Sequence, residues 1–168
     1  MERNRKQLTL FIEPINAPIE KIRAEYNPEQ FNLISAHITL CREDEIEPIE
    51  KIIEHIKSIS LKKPICMYLH PPKRFAEGKG LMIPAFDKNN EFRELRKAIL
   101  GQTERFKEQL PHITLMHPRN STCTDELFME IKKQKLPSKL FFNKITLIEQ
   151  INEGKWNIIN EFNIVQKK

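Results

Sequence analysis

Glycine is scarce: the 168 residues hold four, at Gly78, Gly80, Gly101 and Gly154. Dinucleotide fingerprints and P-loops need several glycines at fixed spacing, so that backbone amides can reach a phosphate. These four form neither pattern, which excludes the usual nicotinamide-Rossmann enzymes and P-loop NTPases. Cysteine is equally thin. Cys41, Cys66 and Cys123 are odd in number and far apart, so they make neither a disulfide framework nor a Cys-x-x-Cys zinc pattern. A reducing, cytoplasmic setting is the expectation. Long apolar runs are missing too: the longest is Ile65-Cys66-Met67-Tyr68-Leu69, whereas a membrane span takes about 20 residues. The charged start Met1-Glu2-Arg3-Asn4-Arg5-Lys6 leads into no secretory apolar region.

What is present is a wet surface around an ordinary core. Hydrophobic residues make up 39% and charged residues 30%, with a formal net charge of +5. Mild basicity favours anionic ligands without naming one. Basic pairs occur at Lys62-Lys63, Lys73-Arg74 and Lys132-Lys133, but they form no stripe of the kind a duplex-binding domain shows. No Pro/Gly/Ser linker divides the chain, so residues 1–168 read as a single domain, and nothing demands more than a monomer.

Period-two alternation over Lys6–Glu13 predicts a strand ended by Pro14. Pro18 to Tyr26 reads as a helix, and Phe31 to Leu40 as a second strand. Ile46, Ile49, Ile52, Ile53, Ile56 and Ile59 mark a helix containing Pro48. Ile65 to Leu69 and Leu81 to Phe86 read as strands around a glycine-containing turn. Phe92 to Ile99 is a helix closed by Gly101, and Leu110 to His117 a strand. Thr124 reads as an N-cap. Leu140 to Ile151 and Trp156 to Val165 read as strands about the turn Asn152-Glu153-Gly154-Lys155. About seven strands and four helices give an α+β chain, with short helices between strands twice over, as in two similar halves.

Those halves share a tetrapeptide. Ser35-Ala36-His37-Ile38-Thr39-Leu40 and Leu110-Pro111-His112-Ile113-Thr114-Leu115 both contain His-Ile-Thr-Leu, which uses two of only five histidines. In a strand, residues i and i+2 share a face. His37 and Thr39 therefore project together, as do His112 and Thr114, over an apolar back of Ile38, Leu40, Ile113 and Leu115. One imidazole can remove a proton while a second, protonated, supplies one. Threonine hydroxyls can donate to phosphate oxygens, and fixed donors stabilise the added charge of a pentacoordinate transition state. Across a cleft, this set suits in-line displacement at a phosphodiester without a metal.

The paired His-x-Thr-x motifs resemble the 2H phosphoesterase superfamily, which includes bacterial 2′-5′ RNA ligase and RNA 2′,3′-cyclic phosphodiesterase-like proteins. The resemblance covers nearly the whole chain. It implies a bilobal fold of two pseudo-symmetric α/β lobes, with antiparallel sheets flanking a central cleft. It also implies catalytic roles for His37 and His112 and phosphate contacts from Thr39 and Thr114. A metal site is the chief alternative chemistry, but no His-x-x-x-His or carboxylate-rich cluster accompanies the motifs and threonine is a poor divalent-metal ligand, so no metal or cofactor is expected. The implied substrate is RNA or a nucleotide bearing a 2′,3′-cyclic phosphate or a 2′,5′ linkage.

Other residues leave choices open. Arg119 or His117, just after the second motif, could contact substrate; the other reading is a loop stabilised by Pro118. Cys41 would share the face of His37 and Thr39 if its strand continues, with Met116 as its counterpart. Tyr68, Phe75 and Phe11 could stack bases or sit in the core. His55 reads as surface, and His70 lies at a strand exit. A non-catalytic RNA- or nucleotide-binding module that keeps the cleft is the alternative function.

Overall fold

The alternation near the start of the chain becomes strand β1 (Asn4–Phe11), with Leu8 and Leu10 wholly buried. The computed structural model describes residues 3–13, 16–86, 88–101 and 108–167, so Pro14, the expected strand stop, lies outside the described residues. Helix α1 (Ala17–Tyr26) starts where its sequence dictates. The Asn16 side chain accepts from the Ile19 N–H at 3.2 Å, and Pro18 falls in the first turn, where no N–H is missed.

The segment expected as one strand from Phe31 to Leu40 divides instead. Residues 28–33 form a short helix, α2 (Pro28–Leu33), and β2 (His37–Cys41) begins only at His37. Pro28 followed by Glu29 is a helix-start signal. The apolar residues after it are too few for period two to be told from a helical turn. Helix α3 (Ile49–Lys57) is shorter than its isoleucine stripe: Pro48 is its N-cap, and Ile46 is buried from the preceding loop.

The chain continues through β3 (Ile65–Tyr68), β4 (Lys73–Arg74), β5 (Leu81–Pro84), α4 (Asn90–Leu100), β6 (His112–Met116) and α5 (Asp125–Lys132). Gly101, at φ +66°, ends α4, and the Thr124 hydroxyl caps α5 by accepting from the Leu127 N–H at 3.2 Å. At Gly80, φ is +59° and an added Cβ would stand 2.6 Å from the Met116 carbonyl oxygen, so this turn admits only glycine. The run expected as one strand from Leu140 to Ile151 breaks at Asn143. It gives β7 (Lys139–Phe142), which pairs with β3 in a separate two-stranded ribbon, and β8 (Lys144–Ile151), which joins the main sheet beside β9 (Trp156–Asn163).

The result is a mixed α/β molecule built on one large antiparallel sheet in the order β4-β5-β6-β2-β1-β8-β9. Its halves repeat in register. On β2, His37 faces Phe11, Ile38 faces Leu10 and Thr39 faces Thr9; the register then slips, and Cys41 meets Leu8. On β6, His112 faces Pro84, Ile113 faces Ile83 and Thr114 faces Met82; after the same slip, Met116 meets Leu81. The slip falls at the same motif position in both halves. β2 and β6 themselves meet through the pair Ile38 and Ile113.

Each half also places a buried arginine on a helix that precedes its motif strand. Arg96 of α4 reaches across into the first half. Its guanidinium donates to the Leu40 carbonyl and pairs with the buried Glu45 carboxylate at 2.6 Å. It also donates to Gln109 Oε1 at 3.0 Å, and Gln109 Nε2 donates to the Thr39 carbonyl at 3.3 Å. Glu45 closes its own loop by accepting from the Arg42 N–H at 2.9 Å.

Removing one partner of a buried ion pair leaves an uncompensated charge in the core. Arg96→Met is therefore expected to lower stability by about 3–5 kcal/mol. The double variant Arg96→Met/Glu45→Leu is expected to recover most of that loss. Urea-induced unfolding of the three proteins measures both effects.

Candidate active site

The four motif side chains are half-buried, and the residues behind them, Ile38, Leu40, Ile113 and Leu115, are fully buried. His37, Thr39, His112 and Thr114 line one cavity of about 340 Å³. The sequence expectation that two polar pairs project from apolar-backed strands therefore holds, and the seam between β2 and β6 brings the pairs into one cleft. Arg5, Gln7, Arg23, Arg42 and Arg119 add polar walls. A larger hollow of about 540 Å³ opens among Glu43, Asp44, Glu47 and Glu50. Its acidic rim repels phosphate, and it contains none of the histidines.

The imidazoles are fixed alike. The His37 ring nitrogen Nδ1 lies 2.7 Å from the Ser35 carbonyl, and His112 Nδ1 lies 3.0 Å from the Leu110 carbonyl. A carbonyl only accepts, so each neutral ring carries its proton on Nδ1 and keeps its Nε2 lone pair free. An aromatic edge steadies each ring. Phe11 meets His37 with centroids 6.0 Å apart, and Phe75 meets His112 at 5.7 Å, both at steep interplanar angles. The register would place Pro84 where Phe11 stands, so the loop after β4 supplies the second ring. Neither Phe11 nor Phe75 is fully buried.

Desolvation depresses the His37 pKa to about 4; the positive field of Arg23 and His112 adds to the effect, and the Ser35 hydrogen bond opposes it. His37 is thus neutral at pH 7 in the unliganded cleft. His117 is also shifted down, by burial and then by Arg119 and His112. It has the opposite tautomer: the Arg119 N–H donates to His117 Nδ1 at 3.1 Å, which leaves the His117 proton on Nε2. Both His117 and Arg119 line the cleft, Arg119 with an exposed side chain.

Several residues matter more than the sequence alone disclosed. Gln7 Nε2 donates to Thr39 Oγ1 at 3.1 Å and to Thr9 Oγ1 at 2.9 Å. Because Gln7 uses the acceptor side of the Thr39 hydroxyl, the hydroxyl proton is left for a ligand. Arg23, buried on α1, donates to the Ile34 carbonyl at 2.7 Å and pairs with Glu20 at 3.0 Å. Glu20 in turn accepts from the Ala36 N–H at 2.6 Å, just before His37. The Nε of Arg23 has no hydrogen-bond partner among the described residues. The available signal was an arginine at helical spacing from Ile19 on the apolar face, a place where a charge needs a reason. Trp156, which carries Arg5 over its ring at 5.5 Å, walls the cleft from β9.

Other readings change. Cys41 does not join the cleft lining: past the register slip it is fully buried beside Arg96, and burial pushes its thiol up to about 12. A protonated, enclosed thiol is no nucleophile. His55, expected on the surface, is half-buried and lies 2.7 Å from the Ile99 carbonyl through Nδ1, tying α3 to α4. Tyr68 is exposed, and His70 stacks on Phe86. Among the described residues there is no group of three or more His, Cys, Asp or Glu that could hold a metal ion, and no helix is long and apolar enough to cross a membrane.

Comparison with known proteins adds independent findings. The model of the 2′-5′ RNA ligase superfamily matches residues 11–154. No curated protein matches the chain. Among solved structures, Escherichia coli LigT complexed with NADP+ superposes with a TM-score of 0.61 at 14% identity, covering 99% of this chain and 100% of that one. LigT complexed with phosphate gives 0.59 at 15%, covering 99% and 100%. A Thermus thermophilus protein, TT0787, gives 0.61 at 16%, covering 95% and 97%. At such identities these structures are similar in fold alone.

NMR titration is expected to show His37 neutral down to about pH 4 in the free protein. The unfolded chain binds this proton near pH 6.5 and the folded one only near 4. Stability from this group is therefore present above pH 6.5 and lost as pH falls toward 4, and His37→Gln removes that component. Inorganic phosphate in the cleft is expected to raise the His37 pKa, because an anion favours the imidazolium.

Proposed function

The chain belongs to the 2′-5′ RNA ligase superfamily, and we propose that it is a metal-independent phosphoesterase acting on a 2′,3′-cyclic phosphate or a 2′,5′-phosphodiester of RNA or a nucleotide. The observation that carries this reading is the pair of imidazoles in one cleft, each held through Nδ1 by the carbonyl two residues earlier. Phosphate and NADP+, the ligands of the LigT structures, both present phosphate oxygens of the kind these donors would grip.

In the hydrolytic direction, neutral His37 takes a proton from water through Nε2 as the water oxygen bonds to phosphorus. The opposite P–O bond breaks, and protonated His112 gives its Nε2 proton to the departing ribose oxygen. The two rings exchange roles when a ribose hydroxyl attacks in the ligation direction. Thr39 and Thr114 donate to the non-bridging oxygens, with His117 Nε2–H and Arg119 as further donors at the rim. Arg23 lends positive potential from beneath His37. Hydrogen bonds to a charged oxygen are worth roughly 1.5–3 kcal/mol each, so the threonine contacts count mainly where charge builds up.

The test uses a short RNA ending in a 2′,3′-cyclic phosphate, with EDTA present. The wild type is expected to yield one phosphomonoester isomer. His37→Ala and His112→Ala are each expected to lose about 10²–10⁴-fold in kcat. Thr39→Val and Thr114→Val are expected to lose about 10- to 100-fold in kcat/KM. Folded histidine variants that turn over like wild type would overturn the mechanism. If wild type binds RNA in a salt-dependent way but forms no product from cyclic or 2′,5′-linked substrates, the binding-module reading replaces it.

A further inference from the structure

The sheet face that carries His112 does not end at the cleft. Met82 stands opposite Thr114 and Pro84 opposite His112. Alternation puts Phe86 on the same face, two residues beyond Pro84. Phe86 is 43% exposed, and its N–H donates to the Tyr68 carbonyl at 3.0 Å. Its ring stacks on His70, with centroids 4.2 Å apart and planes at 24°, and tilts against Tyr68 at 6.2 Å.

From Tyr68 the row passes onto the ribbon of β3 and β7, where Tyr68 pairs with Lys139 and Cys66 with Phe141. Tyr68 is 53% exposed and Phe141 54%. The Lys139 ammonium lies 5.8 Å from the Phe141 ring centroid. Four rings, His70, Phe86, Tyr68 and Phe141, thus lead from the lip of the cleft across an outer surface. The nearby Glu91 carboxylate is already engaged by Lys63 at 3.1 Å and by the Cys66 N–H at 2.8 Å. A groove of about 360 Å³ runs from Phe86 to Gln109, Leu110 and Pro111. There it meets the groove of about 520 Å³ that contains Phe75 and His112.

An RNA ending in a cyclic phosphate extends from its reactive phosphorus only toward its 5′ end, so the rest of the strand leaves the cleft by one exit. We propose that the nucleotides upstream of the reactive phosphate, in a single-stranded RNA, leave the cleft along this row, stacking bases on Phe86, Tyr68 and Phe141 and setting backbone phosphate against Lys139. The proposal rests on the reading of the cleft given above. Every base has a π-face, so such a row reads strand rather than sequence. A lysine over one ring and a chain charge of +5 fit a polyanion rather than an apolar protein surface.

The experiment measures equilibrium binding, by fluorescence anisotropy, of two labelled RNAs ending in a 3′-phosphate: a dinucleotide and a strand of about 12 nucleotides. Neither is turned over, so binding is read even if the enzymatic reading fails, and the cyclic-phosphate assay tests that reading separately. The wild type is expected to bind the longer strand at least about tenfold more tightly. Tyr68→Ala/Phe141→Ala, whose side chains are outside the core, is expected to remove that advantage. Lys139→Ala is expected to flatten the salt dependence of long-strand binding. Equal affinity of wild type for the two RNAs, or a double variant that keeps the full advantage, would overturn the proposal. So would a double variant that changes only self-association in sedimentation, which would make the row a contact between copies of the chain.

Discussion

One strand contact governs the molecule. β2 and β6 meet through Ile38 and Ile113, the residues between the histidine and threonine of each motif. Because side chains alternate, burying those two isoleucines back to back with the core turns His37, Thr39, His112 and Thr114 toward solvent together. A slip of one residue on either strand would bury one polar pair and expose two core residues. Such a slip is opposed by the full burial of Ile38, Leu40 and Ile113. The site is therefore a consequence of register.

The two helix arginines show how the halves hold that register at their strand ends. Arg23 and Glu20 fasten the Ile34 carbonyl and the Ala36 N–H, the segment that leads into His37. Arg96 fastens Gln109, in the segment that leads into His112, and also reaches the Leu40 carbonyl and Glu45 of the first half. Buried charges are a poor way to gain stability, since desolvation cancels much of the attraction. They are directional, however, and here the directions converge on the backbone flanking both motifs. Arg23 serves twice, because its charge also lies beneath the cleft.

Much of this was legible in the residues. The duplicated His-Ile-Thr-Leu named its strands, its polar face and its apolar back, and the N-cap at Thr124 and the closing Gly101 fell where the sequence put them. What failed did so for physical reasons. Between Pro28 and Leu40, short apolar stretches satisfied helix and strand templates alike. In Leu140 to Ile151, no proline or glycine marked a break at Asn143, yet the chain changed sheets there, a choice made by which edge is free. Gln7 was opaque, and Tyr68 was left between stacking and core, for the same reason: one is defined by its partner across β1 and β2, the other by which face of the ribbon lacks a neighbour. Cys41 turned on a single register slip, which no spacing rule predicts.

The three histidines around the cleft differ in which ring nitrogen is engaged by the backbone. His37 and His112 each give their Nδ1 proton to a carbonyl, so each can lose or gain a proton at Nε2 without turning the ring. That is what a pair needs if acid and base are to exchange roles with the direction of reaction. His117 has its lone pair on Nδ1, engaged by the Arg119 N–H. To act as a base it would have to break that bond and rotate; as it stands, it offers the cleft a fixed Nε2–H. In the proposed reaction, proton transfer would fall to the two strand histidines and anchoring to the third, a division that follows from backbone partners two residues from each ring.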